Sequence, residues 1–198
     1  MSETRRLLDA AKALSRLLHA CGVPHAFYGS VFTAVIANIP QSDEIFCIVE
    51  GGQGQTHPFR RVRDAVGGME DFTTTHSPWT NRLHVMYRKP IPAIELCSAL
   101  KIEILPAGET GPRRLDPSTV SVIQGIPFLT VSEFIRAKLK TWMIRRSERD
   151  AMDISYVTSR YWNKVDINRI PEQDMSFFVS RNPATLPAWM ALRRKYGV

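Results

Sequence analysis

The chain has 198 residues, room for one domain with a substantial core or for two small lobes that share an interface. Hydrophobic residues make up 44% and charged residues 23%. That balance belongs to a globular chain and excludes a disordered tail, a collagen-like repeat and a disulfide-stapled miniprotein. Lys and Arg outnumber Asp and Glu by 26 to 19, for a net charge of +7, and a basic surface favours anionic partners. The charge falls in short clusters, such as Arg60, Arg61 and Arg63 or Arg145, Arg146 and Arg149. No helix-turn-helix, zinc-finger or ribonucleoprotein signature accompanies them, so nucleic acid is not an expected partner. Cys21, Cys47 and Cys97 are widely spaced in apolar surroundings. They read as reduced core residues, since a zinc site would want paired spacing. The start carries charge but no apolar h-region, and no apolar run approaches the ~18 residues of a membrane span. A cytoplasmic protein with no membrane span is expected.

In chain order, Leu7, Leu8, Ala11, Leu14, Leu17 and Leu18 recur at helical spacing and predict a helix over 3–21, stopped by Gly22. Residues 26–28 read as a buried strand end. Gly29 and Ser30 open a second helix over 31–38, closed by Pro40. The apolar run 45–49, bounded by Ser42–Asp43 and Gly51–Gly52, is a strand. A loop over 52–58 leads to a basic helix over 59–66 that ends at Gly67–Gly68. Strands are predicted at 83–87, 93–96 and 99–105, with Lys89–Pro90 turning between the first two. Gly, Pro, Glu and Arg dominate 107–117, which marks a boundary. The domains expected are therefore 1–110, an α/β core, and 111–198, a helical lobe. In that lobe Thr130 and Glu133 form a capping box for a helix over 131–146. Further helices are predicted over 148–161, 172–179 and 184–196. The fold class is α+β (mixed α/β).

The informative pieces are Tyr28-Gly29-Ser30, a helix, then Glu44-Ile45-Phe46 on a strand, and Lys101-Ile102-Glu103-Ile104-Leu105-Pro106 on a later strand. This arrangement resembles the nucleotidyltransferase superfamily. That pattern has hydrophobic-Gly-[Gly/Ser], a helix, Asp-hydrophobic-[Asp/Glu], and a third carboxylate on a neighbouring strand. The resemblance implies a mixed sheet flanked by helices, followed by a helical lobe. It also implies a Gly-Ser turn offering backbone N–H groups to phosphate, and three carboxylates holding two Mg²⁺ ions.

On the best register the three acidic positions are Glu44, Phe46 and Glu103. A phenyl ring supplies no oxygen ligand, and a shift by one residue gives only Asp43 with Ile45. No frame of the strand yields two acids, so no metal and no cofactor is expected. The candidate catalytic residues are Ser30, Glu44 and Glu103, the two acids being either acid/base groups in a cleft or the solvated edge of a strand. The candidate binding residues are Tyr28, Gly29, Phe46, Tyr87 and Trp142, an aromatic lining, with Arg88 and Lys101 as anchors for a carboxylate. His25, His57, His76 and His84 show no metal spacing and none is assigned to catalysis.

The expected ligand is an apolar small molecule, with or without a carboxylate. Chains of this degenerate kind resemble fungal secondary-metabolite cyclases, including a norbornene-forming Diels–Alderase type. That resemblance implies a metal-free cyclisation promoted by holding diene and dienophile together. A Mg²⁺-dependent transferase and a non-catalytic ligand-binding module are the two alternatives.

Overall fold

The first elements form because local pattern and local punctuation agree. The computed structural model describes residues 2–40, 42–77, 80, 82–88 and 99–198. Helix α1, Glu3–Ala20, starts where the Ser2 side chain accepts from the Arg5 N–H, and it buries a stripe of Leu7, Ala10, Ala11, Leu14 and Leu18. Strand β1, His25–Gly29, runs directly into helix α2, Ser30–Ala37. Strand β2, Ile45–Val49, and helix α3, Pro58–Val66, follow. Proline at the first turn of α3 costs nothing, since its missing N–H would have no helical partner there. Strands β3, Phe72–Ser77, β4, Arg82–Tyr87, β5, Leu100–Pro106, β6, Val120–Ile123, and β7, Ile126–Leu129, complete the sheet. Its order is β3-β4-β5-β2-β1-β7-β6. β2 runs parallel to β5 and β1 parallel to β7, while β1–β2, β3–β4 and β4–β5 are antiparallel.

The chain divides into two compact units, Met1–Phe128 and Leu129–Val198. The boundary expected near residue 110 therefore falls inside the first unit. The Gly/Pro-rich stretch 107–117 is a connection within it, after which β7 returns to pair with β1 through Phe27 and Phe128. The expected strand 93–96 and the Lys89–Pro90 turn lie outside the described residues, as does Cys97. Cys47 is buried, as a core residue should be, but Cys21 is exposed just past the end of α1.

Strand side chains alternate between faces. On one face of the first unit, Phe27, Cys47, Ile102, Ile104, Leu83 and Val85 are fully buried. α1 lies on this face, where Ser15 Oγ meets His25 Nε2 at 2.8 Å. α3 lies there too, with Phe59 edge-on to His76. Arg61 of α3 ties the loops together by donating to the carbonyls of Glu50, Gly51 and Gly22.

The second unit is helical: α4, Val131–Arg145, α5, Glu148–Tyr161, α6, Glu172–Arg181, and α7, Leu186–Tyr196. Lys138 of α4 is buried between Asp150 and Asp153 of α5, at 2.8 and 2.9 Å. Thr130 caps α4 by accepting from the Glu133 N–H at 3.5 Å. The reciprocal half of the expected capping box is replaced, because the Glu133 carboxylate accepts from Arg169 at 2.8 Å instead.

Candidate functional site

Register places the sequence-predicted residues on a grid. Tyr28 lies opposite Phe46, Phe46 beside Glu103, Glu103 opposite His84, and His84 opposite Thr75. By alternation these five share the face of the sheet that α1 and α3 do not cover. One step along the same face, Lys101 lies opposite Met86, and Arg82 stands two residues before His84 on β4. Glu44, two residues before Phe46, continues this face past the start of β2. The three positions that the resemblance marks as acidic are thus brought together.

Their chemistry is not that of a divalent-metal site. The Phe46 ring stacks on Tyr28, with centroids 4.9 Å apart and planes 27° from parallel. Its edge also covers Gly29, where an added Cβ would come within 2.9 Å of Phe46 Cδ2. Glu103, 16% exposed, is in ion contact with the Arg82 guanidinium, and its second oxygen lies 3.9 Å from His84 Nε2. Among the described residues no group of three or more His, Cys, Asp and Glu side chains could hold a metal ion. The residues present do not fit the two Mg²⁺ ions that the resemblance implies, since Mg²⁺ requires near-octahedral oxygen ligation.

The Gly-Ser turn is likewise turned inward. Gly29 adopts φ 92 and ψ −157, a conformation essentially confined to glycine. This aims the Ser30 N–H at the Glu44 carbonyl, 3.0 Å away. Ser30 is 0% exposed, and its hydroxyl pairs with Ser42 Oγ at 2.8 Å. Ser42 Oγ also accepts from the Glu44 N–H at 3.2 Å. Ser30 therefore braces the loop before β2 and presents no phosphate cradle.

The remaining candidates separate. Lys101 is exposed on the same face as Phe46 and Glu103. Arg88, exposed just past β4, donates its backbone N–H to Asp71. Tyr87 is on the opposite face, because it is an odd step from His84 along β4, and it packs on Phe72 at 5.1 Å. Trp142 belongs to the second unit, where it meets Phe178 edge-on at 4.8 Å under the Arg146 guanidinium. Sequence reasoning does not single out two residues of this face: Arg82, and His84 as a partner of Glu103. Their even spacing on the strand with Met86 was the available signal.

Comparison with solved structures bears on this arrangement. An antigenic nucleotidyltransferase-like protein from Paracoccidioides brasiliensis superposes with a TM-score of 0.64 at 14% identity, covering 92% of this chain and 91% of that one. The fold is nucleotidyltransferase-like. JHP933 from Helicobacter pylori has a TM-score of 0.60 at 16% identity, over 96% of this chain and 80% of its own. A further H. pylori chain reaches 0.56 at 17% identity, over 95% and 80%. No protein-family model and no curated protein sequence matches the chain. Within the nucleotidyltransferase-like fold, the face carrying Phe46 and Glu103 is thus the one whose chemistry has to be explained from this chain's own residues.

Proposed function

We propose that this chain keeps the nucleotidyltransferase-like fold but not its divalent-metal chemistry, and that it holds an apolar small molecule bearing a carboxylate against the part-exposed ring of Phe46, which buried Tyr28 backs. The observation that carries the proposal is Phe46 itself. It stands beside Glu103 in the register of the missing acid, stacked on Tyr28 and closed over Gly29. An aromatic surface flanked by a few placed polar groups suits an organic ligand. Exposed Lys101 on the same face supplies a point charge for a carboxylate.

The finer form of the proposal is a cyclisation of Diels–Alder type. Such a reaction needs neither nucleophile nor metal, because orientation alone removes much of the barrier. The hydroxyl and thiol nearest this part of the sheet are not poised as nucleophiles, which suits a reaction of this class. Ser30 is buried against Ser42, and burial pushes the Cys47 thiol up, away from thiolate formation.

Calorimetric titration tests the proposal, with ATP, GTP, CTP and UTP in the presence and absence of Mg²⁺, then with 2-naphthoic acid as an apolar carboxylate probe. Expected are no Mg²⁺-dependent nucleotide binding and a saturable naphthoate isotherm, weakened about tenfold or more by Phe46→Ala or Lys101→Ala. Micromolar, Mg²⁺-dependent binding of any nucleotide would overturn it.

A further inference from the structure

We propose that His84 is a general base on this face, oriented by Glu103, and that the ligand taken there is a planar conjugated carbonyl compound with an acidic C–H. The inference rests on the reading that a ligand lies on Phe46, and it adds a reaction that positioning alone does not supply.

Four observations converge on it. First, the register aligns Tyr28, Phe46, Glu103 and His84 in one row across four adjacent strands. Neighbouring side chains in such a row stand about 5 Å apart. A flat ligand stacked on Phe46 therefore reaches over Glu103 toward the imidazole. Second, the two ring nitrogens of His84 are differentiated. Nε2 is the one nearer Glu103, 3.9 Å from Oε2, beyond hydrogen-bond distance but close enough for the carboxylate's charge to favour the tautomer that carries its proton on Nε2 and its lone pair on Nδ1. Third, Arg82 grips the other oxygen of Glu103, which fixes the carboxylate's position. Glu103 and Arg82 are positioning residues in this scheme. Fourth, His84 is 20% exposed at its side chain, open enough for contact with a ligand and closed enough to limit competing water.

The step balances without a co-reactant. The C–H bond of the ligand breaks and its proton goes to Nδ1. The electron pair stays on the ligand, delocalised into the carbonyl, whose oxygen charge faces exposed Lys101. The imidazolium, stabilised by Glu103, then returns the proton to another carbon of the same conjugated system, giving an isomerised product. The protonation state agrees with this role. Burial lowers His84 below its ordinary pKa of 6.5, Glu103 opposes that, and Lys101, Arg82 and His76 add to the lowering. Neutral imidazole therefore predominates at pH 7, as a base requires.

The test uses 5-nitro-1,2-benzisoxazole, a flat aromatic probe. Removal of its C3 proton breaks the N–O bond and releases a coloured cyanophenolate, again with no co-reactant. Saturable turnover above buffer is expected, with kcat/KM rising with pH through an inflection below 6.5. His84→Gln should lower kcat about 100-fold, the lower end of what a positioned base contributes. Phe46→Ala should raise KM instead. Glu103→Gln should move the inflection to lower pH, because it removes the charge that raises the imidazole. Arg82→Ala should move it upward. Thermal unfolding of each variant checks that it folds.

Saturable turnover that His84→Gln leaves intact would overturn the base while leaving the ligand site standing. Absence of saturable binding would overturn both. An ¹⁵N spectrum of wild-type protein placing the imidazole proton on Nδ1 would overturn the orientation on its own.

Discussion

Gly29→Ala tests whether the turn is shaped as described and whether Phe46 lies on it. The dihedrals, φ 92 and ψ −157, fall where non-glycine residues cost about 1–3 kcal/mol. The new methyl group would also sit 2.9 Å from the Glu44 carbonyl oxygen and 2.9 Å from Phe46 Cδ2. Overpacking of that kind costs about 1–3 kcal/mol more, for a total of about 2–6 kcal/mol. The two contacts differ in kind. The carbonyl is backbone, fixed by its bond from the Ser30 N–H, whereas the ring contact disappears in Phe46→Ala. Urea unfolding of the wild type, both single variants and the double variant closes the cycle. Gly29→Ala should cost about 1 kcal/mol less in the Phe46→Ala background, because only the ring clash is relieved. Additivity within about 0.5 kcal/mol would remove Phe46 from Gly29. A Gly29→Ala cost below about 1 kcal/mol would refute the strained turn as well.

Lys138→Met should destabilise the protein by about 3–5 kcal/mol, because it leaves the carboxylates of Asp150 and Asp153 buried without their shared cation; urea unfolding monitored by circular dichroism reads this, and a cost under about 1 kcal/mol would refute the burial of the cluster. His25 is buried between Ser15 Oγ and the Val23 carbonyl, and desolvation lowers its pKa from 6.5. Its stabilising neutrality is fully present above pH 6.5 and is lost as pH falls toward the folded value, because the unfolded chain takes up the proton first. Urea midpoints should therefore drop on acidification from that point, and His25→Gln should flatten the drop except for a smaller part of the same sign from His84.

Legibility in the sequence tracked how local each determinant is. Ile45–Val49 and Glu148–Tyr161 are bounded as expected, since Gly, Ser and Asp punctuate them and one period dominates each. Phe72–Ser77 escaped notice because it lies at the sheet edge with only Phe72 buried, so polar residues occupy both faces and no alternation survives. The hairpin strands Val120–Ile123 and Ile126–Leu129 are joined by Gln124–Gly125, which lacks the Asn-Gly or Asp-Gly signature of such turns. Gln124 and Gly125 between them both have positive φ, 52° and 77°, the requirement of a tight hairpin turn. Tyr87 was placed with Phe46 because both are aromatic and near the motif. Their separation onto opposite faces depends on the pairing of His84 with Glu103, and a nonlocal register has no local signature. The same register hid Arg82 as the partner of Glu103.

That partner explains why Phe46 can exist where it does. The residue beside Glu103 in the register is Phe46, whose hydrocarbon ring lowers the local dielectric and would make a half-buried lone carboxylate costly. Arg82 from the antiparallel neighbour supplies the missing positive charge within the protein, and His84 flanks the same carboxylate. Phe46 and the Arg82–Glu103 pair are therefore compatible neighbours, because the carboxylate beside the ring finds its counter-charge within the protein. The face is aromatic at one end and carries a histidine beside a fixed carboxylate at the other.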